Sequence, residues 1–268
     1  MRSNILRAIF KLSMQRSRAL PRVEGGVNRM NDMGDSLENY IRDAFLDEAA
    51  EREQVFSYLG SSSRPPDLIL REGDAIEVKK LQSNSDIQLN SSNPKQILRH
   101  CDQKLNRDAQ ECEPQPWGKD VVYAVGHVPK RSNQVDSLWF VYGDCYADKE
   151  EVYIDLFSNI QTSIKDTEGL DFSRTKELGR VNGIDSQANT HLRIRSMWLL
   201  KHPTSAFNNL PEQPGIYAIM KNRKYESFPQ EDRVQIEQNI NINIRHDFLI
   251  PDPEAEGEFI SVTLISST

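Results

Sequence analysis

Cysteine is scarce in this chain, and the three present, Cys101, Cys112 and Cys145, are odd in number and show no CxxC spacing. That excludes a disulfide-stapled secreted scaffold and a zinc ribbon, so reduced thiols in a cytoplasmic protein are the expectation. Long apolar runs are missing too, because Arg7 and Lys11 interrupt the N-terminal apolar stretch too early for a membrane span. No GxSxG, HExxH or P-loop pattern occurs, which removes those hydrolase signatures. Internal repeats and low-complexity segments are absent as well. Apolar residues make up only 37% and mean hydropathy is -0.63, yet 268 residues suffice to bury a full core. The chain reads as a soluble, rather polar, folded protein.

Positive charge is not in overall excess. The net charge of -7 argues against indiscriminate coating of nucleic acid, but local patches are what a phosphate backbone meets. Residues 1–30 carry Arg2, Arg7, Lys11, Arg16, Arg18, Arg22 and Arg29 against the single acid Glu24. A second basic segment holds Arg174, Lys176, Arg180, Arg193, Arg195 and Lys201 against Glu177 and Asp185. The tail from Pro251 has Asp252, Glu254, Glu256 and Glu258 and no base. Such segregation suits a protein that grips DNA on one face. The basic, acid-free stretch Ile5 to Leu20 also has the composition of an organelle transit peptide.

Periodicity predicts a mixed α/β core. Ile5, Leu6, Ile9, Phe10 and Leu12 fall near helical spacing in a segment closed by Pro21. A second helix is expected to start at a capping box of Asp35 and Glu38, with Leu37, Tyr40, Ile41, Ala44 and Phe45 as its apolar stripe. Strands are expected at 55–59, 67–70 and 75–81, with Arg71 to Asp74 as the turn between the last two. Asn93-Pro94 reads as the start of a helix over 95–110. Strands at 121–128 and 138–142 and a helix at 150–164 follow, and alternation then marks 192–195, 240–244 and 260–264 as strands. Trp117, Trp139, Trp198 and His127 read as core or structural residues.

Three ionisable groups converge in this scheme. Asp67 opens one strand of the hairpin, and the period of two puts Glu77 and Lys79 on one face of the next, with Ile76 and Val78 turned to the core. Hydrolysis of a phosphodiester needs a cation to neutralise developing charge and a water made nucleophilic. Asp67 and Glu77 suit Mg²⁺, and Lys79 suits the water and the scissile phosphate. The alternative is a solvated hairpin face, since the bare pattern is common. Glu38 is either a fourth member of the cluster or only a cap. For DNA contact the candidates are Lys80, Gln82, Asn90, Ser91, Ser92 and Lys95, running from the hairpin into a helix N-terminus, and the strand face of His191, Arg193 and Arg195. The alternatives there are an ordinary solvated loop and a surface on which Glu177 or Asp185 pairs with the arginines.

Beyond spacing, the segments Gly34-Asp35-Ser36-Leu37-Glu38-Asn39-Tyr40-Ile41, Ser57-Tyr58-Leu59-Gly60, Pro65-Pro66-Asp67, Asp74-Ala75-Ile76-Glu77-Val78-Lys79-Lys80 and Leu89-Asn90-Ser91-Ser92-Asn93-Pro94-Lys95 occur in order. Together with Thr175 to Asn182 and Leu192 to Trp198, they resemble the NgoPII family of type II restriction endonucleases over roughly residues 30–210. Asn93 departs from the aromatic residue expected before Pro94, and the last 60 or so residues carry no recognised match. The resemblance implies a PD-(D/E)xK nuclease core, Asp67, Glu77 and Lys79 matching its motif, in which helices flank a central mixed sheet. It also implies a Mg²⁺-dependent homodimer in the bacterial cytoplasm that cleaves double-stranded DNA at a GGCC-type palindrome. The products would carry 5′-phosphate and 3′-hydroxyl ends, and a cytosine DNA methyltransferase would protect the host. Residues 1–268 would form one domain: a basic helical arm (1–30), the catalytic core (31–165) and a recognition and dimerisation elaboration (166–268). A repair or recombination nuclease on the same fold, and a non-cleaving DNA-binding protein, are the competing readings.

Overall fold

The computed structural model describes residues 2–15, 17–21, 29–46, 51–61, 64–90, 92–175, 177–211 and 213–267, without the side chains of 29–35, 61 and 64. In chain order the helices are α1 (Ile5–Ser13), α2 (Arg29–Phe45), α3 (Arg52–Val55), α4 (Arg107–Gln110), α5 (Glu150–Lys165), α6 (Pro203–Ala206), α7 (Asn222–Ser227) and α8 (Gln230–Glu237). The first strands are β1 (Phe56–Ser61), β2 (Arg64–Leu70), β3 (Ala75–Leu81), β4 (Ile87–Asn90), β5 (Ile97–Arg99), β6 (Gly118–His127) and β7 (Ser137–Tyr142). They continue with β8 (Asp171–Arg174), β9 (Gly179–Asn182), β10 (Leu192–Ile194), β11 (Met197–Leu200), β12 (Ile216–Lys221), β13 (Asn243–Pro251) and β14 (Phe259–Ser267).

Among the described residues the main sheet has nine strands in the order β1-β2-β3-β6-β7-β12-β14-β13, with β5 paired to β6. It is mixed: β3 with β6 and β7 with β12 run parallel, and the other pairs antiparallel. The expected α/β class holds. The mostly buried β6 and β7 form the centre, and α1 and α2 pack on the sheet through β12 and β3. Two small sheets, β10-β9-β8 and β11-β4, stand outside it.

The N-terminal helix belongs to the core. Ile5, Leu6, Ala8, Ile9 and Leu12 are buried, and Asn4 caps the helix by accepting from the Leu6 and Arg7 N–H groups at 3.0 and 3.3 Å. Asn4 also donates to Asp232 at 2.6 Å, and Arg7 pairs with the same carboxylate at 2.8 Å. At least Arg7 of the basic segment is therefore an internal ion-pair partner on a packed helix. The helix stops at Ser13 instead of running to Leu20, because Ala19 bridges to Gln134 in extended form.

Three further expectations are corrected. The second helix begins at Arg29, so Asp35 lies inside it and no capping box starts there. The segment 95–110 is not one helix; only its last turn, α4, is helical. Only Leu98, Leu105 and Ala109 of its apolar residues are buried, too few for a helical stripe, and Ile97–Arg99 instead pairs with the start of β6. The third is the strand expected at 240–244: Ile240 is 97% exposed, the Ile242 N–H closes a turn onto Asn239, and β13 starts at Asn243.

The hairpin of β2 and β3 turns at 71–74 as expected, closed by the Leu70 N–H on Asp74 O at 2.9 Å. Its base is clamped. The buried Asp74 carboxylate accepts from the Tyr142 hydroxyl and from Lys224, each at 2.7 Å, and Lys224 also reaches Asp120 at 2.6 Å. A buried carboxylate held by a cation and a phenol is costly to move, so the start of β3 is fixed against α7 and β7.

Candidate active site

The β2–β3 register pairs Leu68 with Ile76 and Ile69 with Ala75, so Asp67 falls across from Glu77. Ile76 and Val78 are buried, and Glu77 and Lys79 share the other, half-buried face. Asp67 Oδ2 accepts from the Val78 backbone N–H at 2.6 Å, and Lys79 Nζ donates to Glu77 Oε1 at 2.6 Å. Two neighbouring strands therefore bring all three groups together, as the alternation of the sequence predicts.

Helix α2 supplies the fourth. Burial, then the charges of Glu77 and Glu38, push the Asp67 carboxyl well above the usual carboxylate range, against the pull of Lys79 and of the Val78 N–H. Burial opposes the Lys79 ammonium, but Glu77, Asp67 and Glu38 outweigh it and hold its pKa above the ordinary value. Glu38 thus acts on both groups, and it does so from the interior of a helix and not as its cap. Its placement depends on Leu37, which packs over Gly126 of β6; a Cβ at Gly126 would lie 2.7 Å from Leu37 Cδ2.

A divalent cation fits this donor set. Burial first, and then the neighbouring carboxylates, raise the pKa of Asp67; positive charge relieves both, and hard oxygen donors suit Mg²⁺. Among the described residues no three His, Cys, Asp or Glu side chains form a metal cluster. The hairpin would offer Asp67 and Glu77 as ligands and leave the other positions to phosphate and water, the usual division for Mg²⁺.

The remaining candidates are spread over three elements. Lys80 is half-buried on the opposite face of β3 from Lys79, and burial lowers its pKa. Gln82 and Asn90 are exposed, Ser92 is half-buried, and Ser91 lies outside the described residues. Lys95 is only 12% exposed and is committed to Asp102 at 2.8 Å and Glu150 at 2.9 Å. With no helix starting at Pro94, the expected helix-terminus phosphate site is absent there and Lys95 serves a structural ion-pair cluster. His191 is exposed and accepts the Gly183 N–H at 3.3 Å. Arg193 and Arg195 do share a face, 64% and 60% exposed, both bound to Glu177 at 2.7 and 2.8 Å. Asp185 instead accepts backbone N–H groups of its own loop.

Comparison with known proteins decides the class. The sequence profile described as NgoPII restriction endonuclease matches residues 3–249. The chain belongs to the NgoPII restriction endonuclease family. A relative, the type II restriction enzyme NgoPII of Neisseria gonorrhoeae, is 37% identical over 278 residues, covering 98% of this chain and 99% of that protein. No solved structure matches the chain. As a member of the NgoPII family it is a site-specific deoxyribonuclease, and the repair-nuclease and non-cleaving readings fall away. The match also extends well beyond the 30–210 visible in the motifs.

Tyr123 was not legible in the sequence. The parallel pairing of β3 with β6 sets it opposite Glu77, and its hydroxyl accepts the Lys95 N–H at 2.7 Å. Burial raises the pKa of that hydroxyl and keeps it protonated. Only the pairing of two strands separated by a long connection reveals it. Among the described residues, no helix is long and apolar enough to cross a membrane.

Proposed function

We propose that this restriction endonuclease is a Mg²⁺-dependent homodimer that cuts both strands of a short GGCC-type palindrome, leaving 5′-phosphate and 3′-hydroxyl ends. The observation that carries the chemistry is Asp67 facing Glu77 across the hairpin, with Lys79 2.6 Å from Glu77. Asp67 and Glu77 would hold the cation, which when bound would supply Lewis-acid stabilisation of the charge that develops on the phosphate. Lys79 stays protonated beside the carboxylates, orients the attacking water and donates to a phosphate oxygen. Glu38 adds negative charge that favours the cation. Gln82, Asn90, Ser91, Ser92, His191, Arg193 and Arg195 hold the duplex, and Lys80 and Lys95 support them.

A palindrome has one scissile phosphate per strand related by a twofold axis, and each chain carries one hairpin site, so a second copy completes the reaction. The exposed apolar stripe Val152, Leu156 and Ile160 on α5 suits that copy. A companion cytosine methyltransferase would protect host DNA. The test is digestion of a fully sequenced phage DNA with magnesium, followed by mapping of the ends. Discrete fragments ending within GGCC-type sites and joinable by ligase are expected; ends at unrelated sequences would overturn the specificity. Lys79→Ala should cut at least about a hundredfold more slowly while still shifting the same duplex in a gel, and cutting at the wild-type rate would overturn the assignment.

A further inference from the structure

Strands β4 and β11 form a two-stranded ribbon with one face packed and one open. Ile87, Leu89, Trp198 and Leu200 turn inward, with Trp198 edge-to-face with Tyr153 and stacked on Phe157 of α5 at ring distances of 5.5 and 6.2 Å. Gln88, Asn90, Met197 and Leu199 turn outward, in register as Met197 with Asn90 and Leu199 with Gln88. Met197 and Leu199 are 54% and 59% exposed, two large apolar side chains beside two amides. We propose that this open face reads base edges in the major groove of DNA, so that Gln88, Met197 and Leu199, with Asn90, determine which sequence is cut. The proposal rests on the reading of the chain as a nuclease acting on double-stranded DNA.

Size, chemistry and connection all point to a duplex. Four residues of strand span about 13 Å, and the major groove, about 12 Å wide, admits a two-stranded ribbon. The amide NH2 of Gln88 or Asn90 can donate to guanine O6 or N7 and its carbonyl can accept from cytosine N4, and Met197 and Leu199 suit the apolar C5 edge of pyrimidines. Arg195 lies two residues before Met197, and with Arg193 it places two exposed guanidinium groups on the one Glu177 carboxylate, leaving a net positive charge for phosphates. At the other end of the ribbon Asp86 and Lys201 are both exposed and their charges offset each other. Residues 82–86 join β4 directly to β3, which bears Glu77 and Lys79. That link spans at most about 20 Å, or about six base pairs, as a short recognition site requires. A second copy of this chain is the rival occupant, but the amides and flanking guanidinium groups suit a polyanion with polar edges better than an apolar subunit contact.

The test compares kcat/KM on the mapped cognate duplex with that on duplexes changed at one base pair each, for wild type, Gln88→Ala, Leu199→Ala and Arg195→Ala. Gln88→Ala and Leu199→Ala should each lose roughly tenfold to a hundredfold on the cognate site. Each should also lose discrimination at one position only, cutting the duplex changed there as well as the cognate one. Arg195→Ala should weaken all duplexes alike, as a phosphate contact does. Leu199→Met, which keeps the strand apolar, replaces Leu199→Ala if that variant has a lowered Tm. Wild-type discrimination at every position in the ribbon variants, an equal loss on all duplexes with an unchanged Tm, or conversion of a dimer to a monomer by Leu199→Ala would overturn the proposal. A wild-type protein that cuts no duplex with magnesium overturns the nuclease reading itself, whereas a wild type that cuts alongside unaltered variants overturns the ribbon alone.

Discussion

Glu38 and Asp67 show how a residue's neighbours decide its role. Asp67 is held above its ordinary pKa by burial and by the charges of Glu77 and Glu38, so removing Glu38 lowers the negative field that attracts a cation. Glu38→Gln is expected to raise the magnesium concentration for half-maximal cleavage roughly tenfold, measured by titrating magnesium at fixed DNA; an unchanged midpoint would remove Glu38 from the site. His202 illustrates the same logic away from the chemistry. It is fully buried against Trp139, its Nδ1 accepts the Thr204 N–H at 3.3 Å, and burial, then His127, lowers its pKa to about 4. Folded His202 stays neutral where the unfolded chain, near pKa 6.5, already binds a proton. Stability is therefore complete above about pH 6.5 and is lost as pH falls from there towards 4. At pH 5 the loss should be about 2 kcal/mol relative to pH 7. Urea unfolding at both pH values should show it, and His202→Gln should flatten the difference.

At the scale of elements, α2 matters because of where it approaches the sheet. The glycine at position 126 lets Leu37 sit directly on β6, and Glu38 follows Leu37 on the same helix. Gly126→Ala is expected to destabilise by about 1–3 kcal/mol, since the packed neighbours give only partly. It should also lower cleavage by shifting Glu38. Combined with Leu37→Ala, it should cost less than the sum of the two single losses, because the shorter side chain opens the space the new methyl group needs. Urea midpoints and plasmid cleavage on the two single variants and the double variant check this, and strictly additive losses would show that the two positions do not meet. Elements differ in how legible they are in sequence. The alternation in Ala75 to Leu81 and the stripe from Leu37 to Phe45 each carry their own period, so the strand bearing Glu77 and Lys79 and its covering helix are readable. Segment 95–110 carries no clear period, and its strand exists because β6 offers an edge to pair with, a partner that local sequence does not announce.

For the whole molecule, a net charge of -7 and a DNA substrate are reconciled by segregation of charge, so affinity should depend strongly on salt. Raising salt from 50 to 200 mM should weaken duplex binding about a thousandfold or more if six or more phosphates are contacted; a gel-shift series checks this, and a flat response would exclude such a grip. Sedimentation should give about twice the 30.8 kDa chain mass, and Leu156→Glu, which puts a charge in the apolar stripe of α5, should return the chain to monomer. What the sequence by itself determined was the mixed α/β class, the hairpin with Asp67, Glu77 and Lys79, and the family, because alternation and short motifs are local properties of the chain. Tertiary structure alone decided which groups surround that hairpin: Glu38 from the interior of α2, Tyr123 opposite Glu77, Lys95 withdrawn into an ion-pair cluster, and the open ribbon of β4 and β11. These depend on pairings between segments far apart in the chain, and such pairings follow from how the whole apolar surface is buried, which no local period encodes.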